Sequence, residues 1–181
     1  MRKLDISFNP GIKFVDFDRL ILKYDMVLTS LSFEGNGFGD NIVVKIAEAI
    51  GQRPLLKDLN LSQNMITNKG AIALANLLYE NNTLVSLYLR WNFIKAKAAV
   101  ALSDAIRDNA TLLVLDLSFN PLGENLKPAP VIQASNEKLR EDVNLIGDVN
   151  DVIIKSYLNV SKHFSKMFEK NKTLLHADFS H

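Results

Sequence analysis

The sequence predicts an α/β solenoid, an arc of strand–helix units with a parallel sheet on its concave face and helices on its convex face. Three observations carry this. One nine-residue pattern recurs at a fixed interval of 28 residues. A second, helix-spaced apolar pattern fills the intervals between its copies. Apolar residues make up 48% and charged residues 23% of the 181, the balance of a chain that buries a core.

The strand comes first. LKDLNLSQN (56–64), LVSLYLRWN (84–92) and LLVLDLSFN (112–120) share leucines at positions one, four and six and an asparagine at position nine. A step back gives LTSLSFEGN (28–36), with Phe33 for the third leucine, and a step of 27 more gives MRKLDISFN (1–9). Alternation along a strand turns these leucines to one side, where a single unit cannot hide them. Neighbouring units must therefore stack to build a continuous core. The helix follows. Gly70, Leu74, Leu77 and Leu78 recur as Ala98, Leu102, Ala105 and Ile106, and earlier as Ile42, Ile46, Ala49 and Ile50. Spacings of four, three and one trace one helical face. ENNT (80–83) and RDNAT (107–111) close the units as polar turns.

Asn9, Asn36, Asn64, Asn92 and Asn120 stand where the chain leaves each strand. An amide side chain carries donors and an acceptor, so it can satisfy backbone groups of its own and the adjacent unit, and a structural asparagine ladder is expected.

These motifs resemble the leucine-rich repeat, and the period of 28 with a full helix is similar to the ribonuclease-inhibitor-like subtype. The resemblance implies a horseshoe arc over one domain, residues 1–181, of about seven units. Five are regular (1–123). An irregular insert follows at 124–139, where Pro128 and Pro130 oppose a helix. A degenerate unit and a long helix span 140–171. The unit starts with REDVNLIGD (140–148), and the helix, roughly Asn150 to Lys170, sets Phe164, Met167 and Phe168 on its apolar face. A truncated unit (172–181) ends the chain.

Composition narrows the chemistry. A net charge of +1 offers no global field for nucleic acid or anionic membrane. No apolar run reaches the ~18 residues of a span, and MRKLDISFNPG lacks a signal peptide's apolar stretch, so an intracellular, cytoplasmic location is expected. There is no cysteine for a disulfide, thiolate metal site or nucleophile. Gly35, Gly37 and Gly39 follow a strand, but Asp40 stands where a phosphate loop needs its third glycine. His163, His176 and His181 have no metal-ligand spacing and no patterned serine partner. No cofactor, metal or catalytic residue is expected. Asn60, Asn81, Asn109, Asn159 and Asn171 open Asn-x-Ser/Thr sequons, but the secretory route they require has no signal here.

The expected working surface is the concave sheet. Asp58, Asn60, Tyr88 and Asp116 point from it, and Arg90, Trp91 and Phe119 follow just beyond the strands. Tyrosine, arginine and tryptophan are the residues most enriched at interface hot spots, so a protein or peptide partner is expected there. Trp91 carries a second reading, packing on the adjacent loop as Phe8 and Phe119 would at the same register. The alternative function is a GTPase-activating protein resembling the Ran-activating leucine-rich repeat family. Arg90 is the concave arginine of the central units, but no arginine matches that family's motifs. Both ends fall inside a unit without polar caps, so self-association through the open ends, or membership of a longer protein, is expected.

Overall fold

The structure, a computed structural model, describes residues 2–12, 28–51, 55–122, 162–167, 169–171, 173–174 and 176–178. In chain order these form β1 (Lys3–Asp5), β2 (Ser30–Ser32), α1 (Asp40–Gly51), β3 (Asp58–Asn60), α2 (Asn68–Glu80), β4 (Ser86–Tyr88), α3 (Ala96–Asp108), β5 (Val114–Asp116) and β6 (His176–Asp178). The six strands make one open parallel sheet in sequence order. Register is conserved from unit to unit, with Leu4, Leu31, Leu59, Leu87, Leu115 and Ala177 side by side.

The repeat leucines explain this arrangement. Leu31, Leu59, Leu87 and Leu115 are buried, as are Phe33, Leu61, Leu89 and Leu117 two residues on. They meet the inner faces of the helices, where Val43, Ile46 and Ile50, then Leu74 and Leu78, then Leu102 and Ile106 are buried at the spacings the sequence repeats. Helices α2 and α3 start with help from the unit before them. Thr67, at the N-cap of α2, makes no side-chain cap of its own. Instead Asp40 Oδ1 accepts from the Thr67 and Gly70 amides at 2.8 and 2.9 Å, and its Oδ2 from the Thr67 hydroxyl at 2.6 Å. One unit on, Asn68 Oδ1 accepts from the Lys95 amide at 3.0 Å. Orphan amides at a helix start are thus satisfied across the unit boundary.

In the sheet β6 pairs directly with β5. The reason is visible in the turns. Asn109 Nδ2 donates to the Leu78 and Asn81 carbonyls, the second of them 28 residues back. Asn171 Nδ2 makes the corresponding bonds to Ile106 and Asn109, the second 62 residues back. Asn171 therefore closes the fifth unit, and Phe164 and Met167, both buried on helical residues 162–167, stand at the register of Leu102 and Ala105. The step from Asn109 to Asn171 is 62 residues, against 28 from Asn81 to Asn109. The insert at 124–139, the frame at 140–148 and the first part of the long helix lie outside the described residues.

The polar turns that close the units are built on the asparagines of the N-x-T motifs. Asn109 and Asn171 are buried. Each also accepts from the two amides that follow in its turn, Thr111 and Leu112 for one, Thr173 and Leu174 for the other. Asn81 likewise accepts from Thr83 and Leu84. The N-x-T motif is here a turn device, a second asparagine row on the opposite side of the core.

The helix side also carries ion pairs. Lys170 holds Asp108, Arg107 bonds Asp104 at 2.9 Å, and His163 Nδ1 lies 3.7 Å from Asp104. The Lys170 ammonium, through its hydrogen bond and charge, keeps the Asp108 carboxyl below its usual value. A depressed carboxyl stabilises the fold above the unfolded value, and that contribution disappears as pH falls through the folded one. Lys170→Ala is expected to return the Asp108 titration upward, toward an ordinary aspartate, in a carboxyl-carbon NMR titration.

Candidate functional site

The sheet presents three rows to the concave side. Lys3, Ser30, Asp58, Ser86 and Val114 form one, and Asp5, Ser32, Asn60, Tyr88, Asp116 and Asp178 the next. Two residues further, beyond the strands, stand Ser7, Glu34, Ser62, Arg90 and Ser118. Adjacent strands lie ~4.8 Å apart, so side chains in one row are near neighbours.

Most polar members of these rows bond to one another. Asn60 donates to Glu34 at 3.0 Å and accepts from the Ser62 amide at 3.0 Å, and Gln63 donates to Glu34 at 2.7 Å. Asp116 accepts from the Ser118 hydroxyl at 2.6 Å and amide at 2.9 Å. Asp5 does the same with Ser7, whose hydroxyl and amide lower the Asp5 carboxyl from its usual value. Asp58 and Tyr88 are half-buried.

The strand-exit turn holds the unusual geometry. Phe8, Gln63, Trp91 and Phe119 all have φ between 54 and 58°, in the left-handed region. Gly35 occupies the same position in the second unit, at φ 69°. The turn into each asparagine imposes this conformation, which costs roughly 1–2 kcal/mol for a residue with a side chain. Three units nevertheless place an aromatic ring there. Trp91 is 50% and Phe8 61% exposed. Trp91 stacks flat on Phe119, centroids 4.4 Å apart and planes 2° from parallel, and the Arg90 guanidinium carbon sits 4.9 Å from the Phe119 centroid. Trp91 thus packs on the adjacent loop while half of it faces solvent.

Arg90, Trp91 and Phe119 are therefore brought together, with Tyr88 on the strand leading to them. Asp58 and Asp116 flank them one strand to either side of β4, at different rows. Sequence reasoning missed Met65 and Phe93, 58% and 53% exposed along the same rim. Both directly follow a repeat asparagine, and an apolar residue at that exposed turn position was the available signal.

Beneath the rim run the asparagines. Asn64 Oδ1 accepts from the Asn36 and Phe38 amides at 3.2 and 2.9 Å, and its Nδ2 donates to the Phe33, Leu61 and Ser62 carbonyls at 2.9–3.0 Å. Asn92 and Asn120 repeat this pattern, bonding the preceding unit and their own. Asn36 donates to Ile6, while Asn9, exposed at the edge, reaches only its own unit's Ile6 and Ser7 carbonyls. The glycine-rich turn is occupied by the same network. The amides of Asn36 and Phe38 point at Asn64, and that of Gly35 at the Ser62 carbonyl, so they form no phosphate cradle.

Among the described residues no group of His, Asp and Glu could hold a metal ion, and no helix is long and apolar enough to cross a membrane.

Strand, turn, helix and asparagine row together define a leucine-rich repeat protein. The family described as Leucine Rich repeat matches at residues 24–47, 54–75, 80–103 and 108–124. Two solved structures show the same fold. Leiomodin-1 actin-binding site 2 is 20% identical over 94% of this chain and 80% of its own, with a TM-score of 0.66. The tropomodulin C-terminal domain from Caenorhabditis elegans is 12% identical over 100% of this chain and 74% of its own, with a TM-score of 0.59. No curated protein matches in sequence.

Proposed function

We propose that this chain is a non-catalytic, intracellular binding module whose concave face takes a protein or peptide partner around Tyr88, Arg90 and Trp91. One observation carries the reading. A tryptophan, held half-exposed in a left-handed turn, is braced flat against Phe119 with a guanidinium over the same ring. Such a stack presents a large contact area already ordered, and ordering costs are what weaken most exposed side chains at interfaces. Leiomodin-1, whose actin-binding site 2 has this fold, lends support to a protein partner. We also assign the repeats to the ribonuclease-inhibitor-like subtype, on their period of 28 and helices of 12–13 residues.

The test is affinity capture with wild type beside a Tyr88→Ala/Arg90→Glu/Trp91→Ala variant of unchanged melting temperature. The partner is expected to be lost from the variant. Partners kept equally by both would refute the concave-face reading. The GTPase-activating alternative rests on Arg90, and single-turnover GTP hydrolysis separates it. No acceleration is expected from the wild type, whereas acceleration abolished by Arg90→Ala would favour that alternative.

A further inference from the structure

We infer that the partner segment is basic and amphipathic, its cations over the sheet and an apolar side chain against the strand-exit rim. This rests on the concave-face reading and goes beyond it by naming the occupant. The first ground is the rim. Gly35 shows the residue that the left-handed turn accepts without strain, and aromatic rings replace it in three units. Trp91 stands exposed among them, and Met65 and Phe93 add exposed apolar surface along the same edge. Nothing in the core requires large apolar side chains at these positions. A row of them on one rim is surface for an apolar group to cover.

The second ground is charge. Asp5, Glu34, Asp58 and Asp116 all stand on the concave side. Among the described residues they are bonded to hydroxyls and amides or, for Asp58, to no group, and none of them to a lysine or arginine. The ion pairs among the described residues named above all lie on the helix side. Arg90, the cation in the middle of these carboxylates, is turned to Phe119. The face thus offers carboxylates in three rows, and among its described residues the cations are Arg90 and, on the first strand, Lys3. A segment carrying lysines or arginines complements it, whereas an acidic one would be repelled.

The chain supplies its own reporter, since Trp91 is its single tryptophan. A random dodecapeptide phage library is selected on the whole chain, and enriched peptides are titrated while Trp91 emission is followed. Enriched peptides are expected to carry excess Lys and Arg with at least one large apolar residue, and to shift Trp91 emission to the blue. Their affinity should fall about tenfold on Asp58→Asn/Asp116→Asn, which keeps side-chain shape and removes two charges. Neutral or acidic peptides that shift Trp91, or equal affinity for the charge variant, would overturn the basic occupant and leave the concave-face reading intact. Failure to enrich any peptide also overturns the inference. Enriched peptides that leave Trp91 emission unmoved and bind the Tyr88→Ala/Arg90→Glu/Trp91→Ala variant as well as wild type overturn both.

Discussion

Asn64→Leu is expected to lower the unfolding free energy by about 3–5 kcal/mol, the largest effect predicted for a single substitution in this chain. The side chain is buried and makes five hydrogen bonds, two accepted from the unit before and three donated to carbonyls of both units. Leucine keeps the branching and the number of heavy side-chain atoms, but it is bulkier and strands all five backbone partners away from water. Asn9→Leu serves as the control. Asn9 is exposed, and water can replace its bonds to Ile6 and Ser7, so a loss below about 1 kcal/mol is expected. Urea denaturation of both variants checks the contrast; similar midpoints would mean that the asparagine row does not hold the turns.

Gly70→Ala should destabilise by about 2 kcal/mol, although alanine is the better helix former by about 1 kcal/mol. Gly70 sits in the first turn of α2 with its amide bonded to Asp40. A Cβ there would stand 2.7 Å from Asp40 Oδ1 and 3.0 Å from Ile66 Cγ2, with the Asp40 Cα only 3.3 Å away. Something must shift, and what shifts is the carboxylate that caps the helix. Asp40→Ala alone should cost about 1–2 kcal/mol as the cap is lost. In that background Gly70→Ala is expected to become neutral or stabilising, a coupling that a double-mutant cycle reads directly. Additive losses would show that the two residues do not meet.

The fold class was legible because its evidence is redundant. Four fixed positions in five frames, at steps of 27 or 28 residues, leave only one way to bury the leucines. Legibility failed where a frame had little to hold it. Val143 and Leu145 mark a unit at 140–148 on two apolar residues only, and that frame lies outside the described residues; Asn171 continues the row of Asn81 and Asn109. Asn81 and Asn109 read as the repeating polar turn, but Asn171 stands 62 residues beyond Asn109, outside the 28-residue interval that would join it to them. The candidate site was legible as positions but not as geometry. Strand alternation located Tyr88 and Arg90, whereas the flat Trp91–Phe119 stack depends on two left-handed turns 28 residues apart, which no local pattern encodes. The cap from Asp40 to α2 was hidden for the same reason.

Asn64, Asn92 and Asn120 each bridge two turns, so no unit owns its full share of cohesion. A repeat loosened in the middle weakens both flanks at once, whereas one at the margin weakens a single flank. Melting of such a stack proceeds from its extremities inward, and the central repeats, where Trp91 stands, are the last to open.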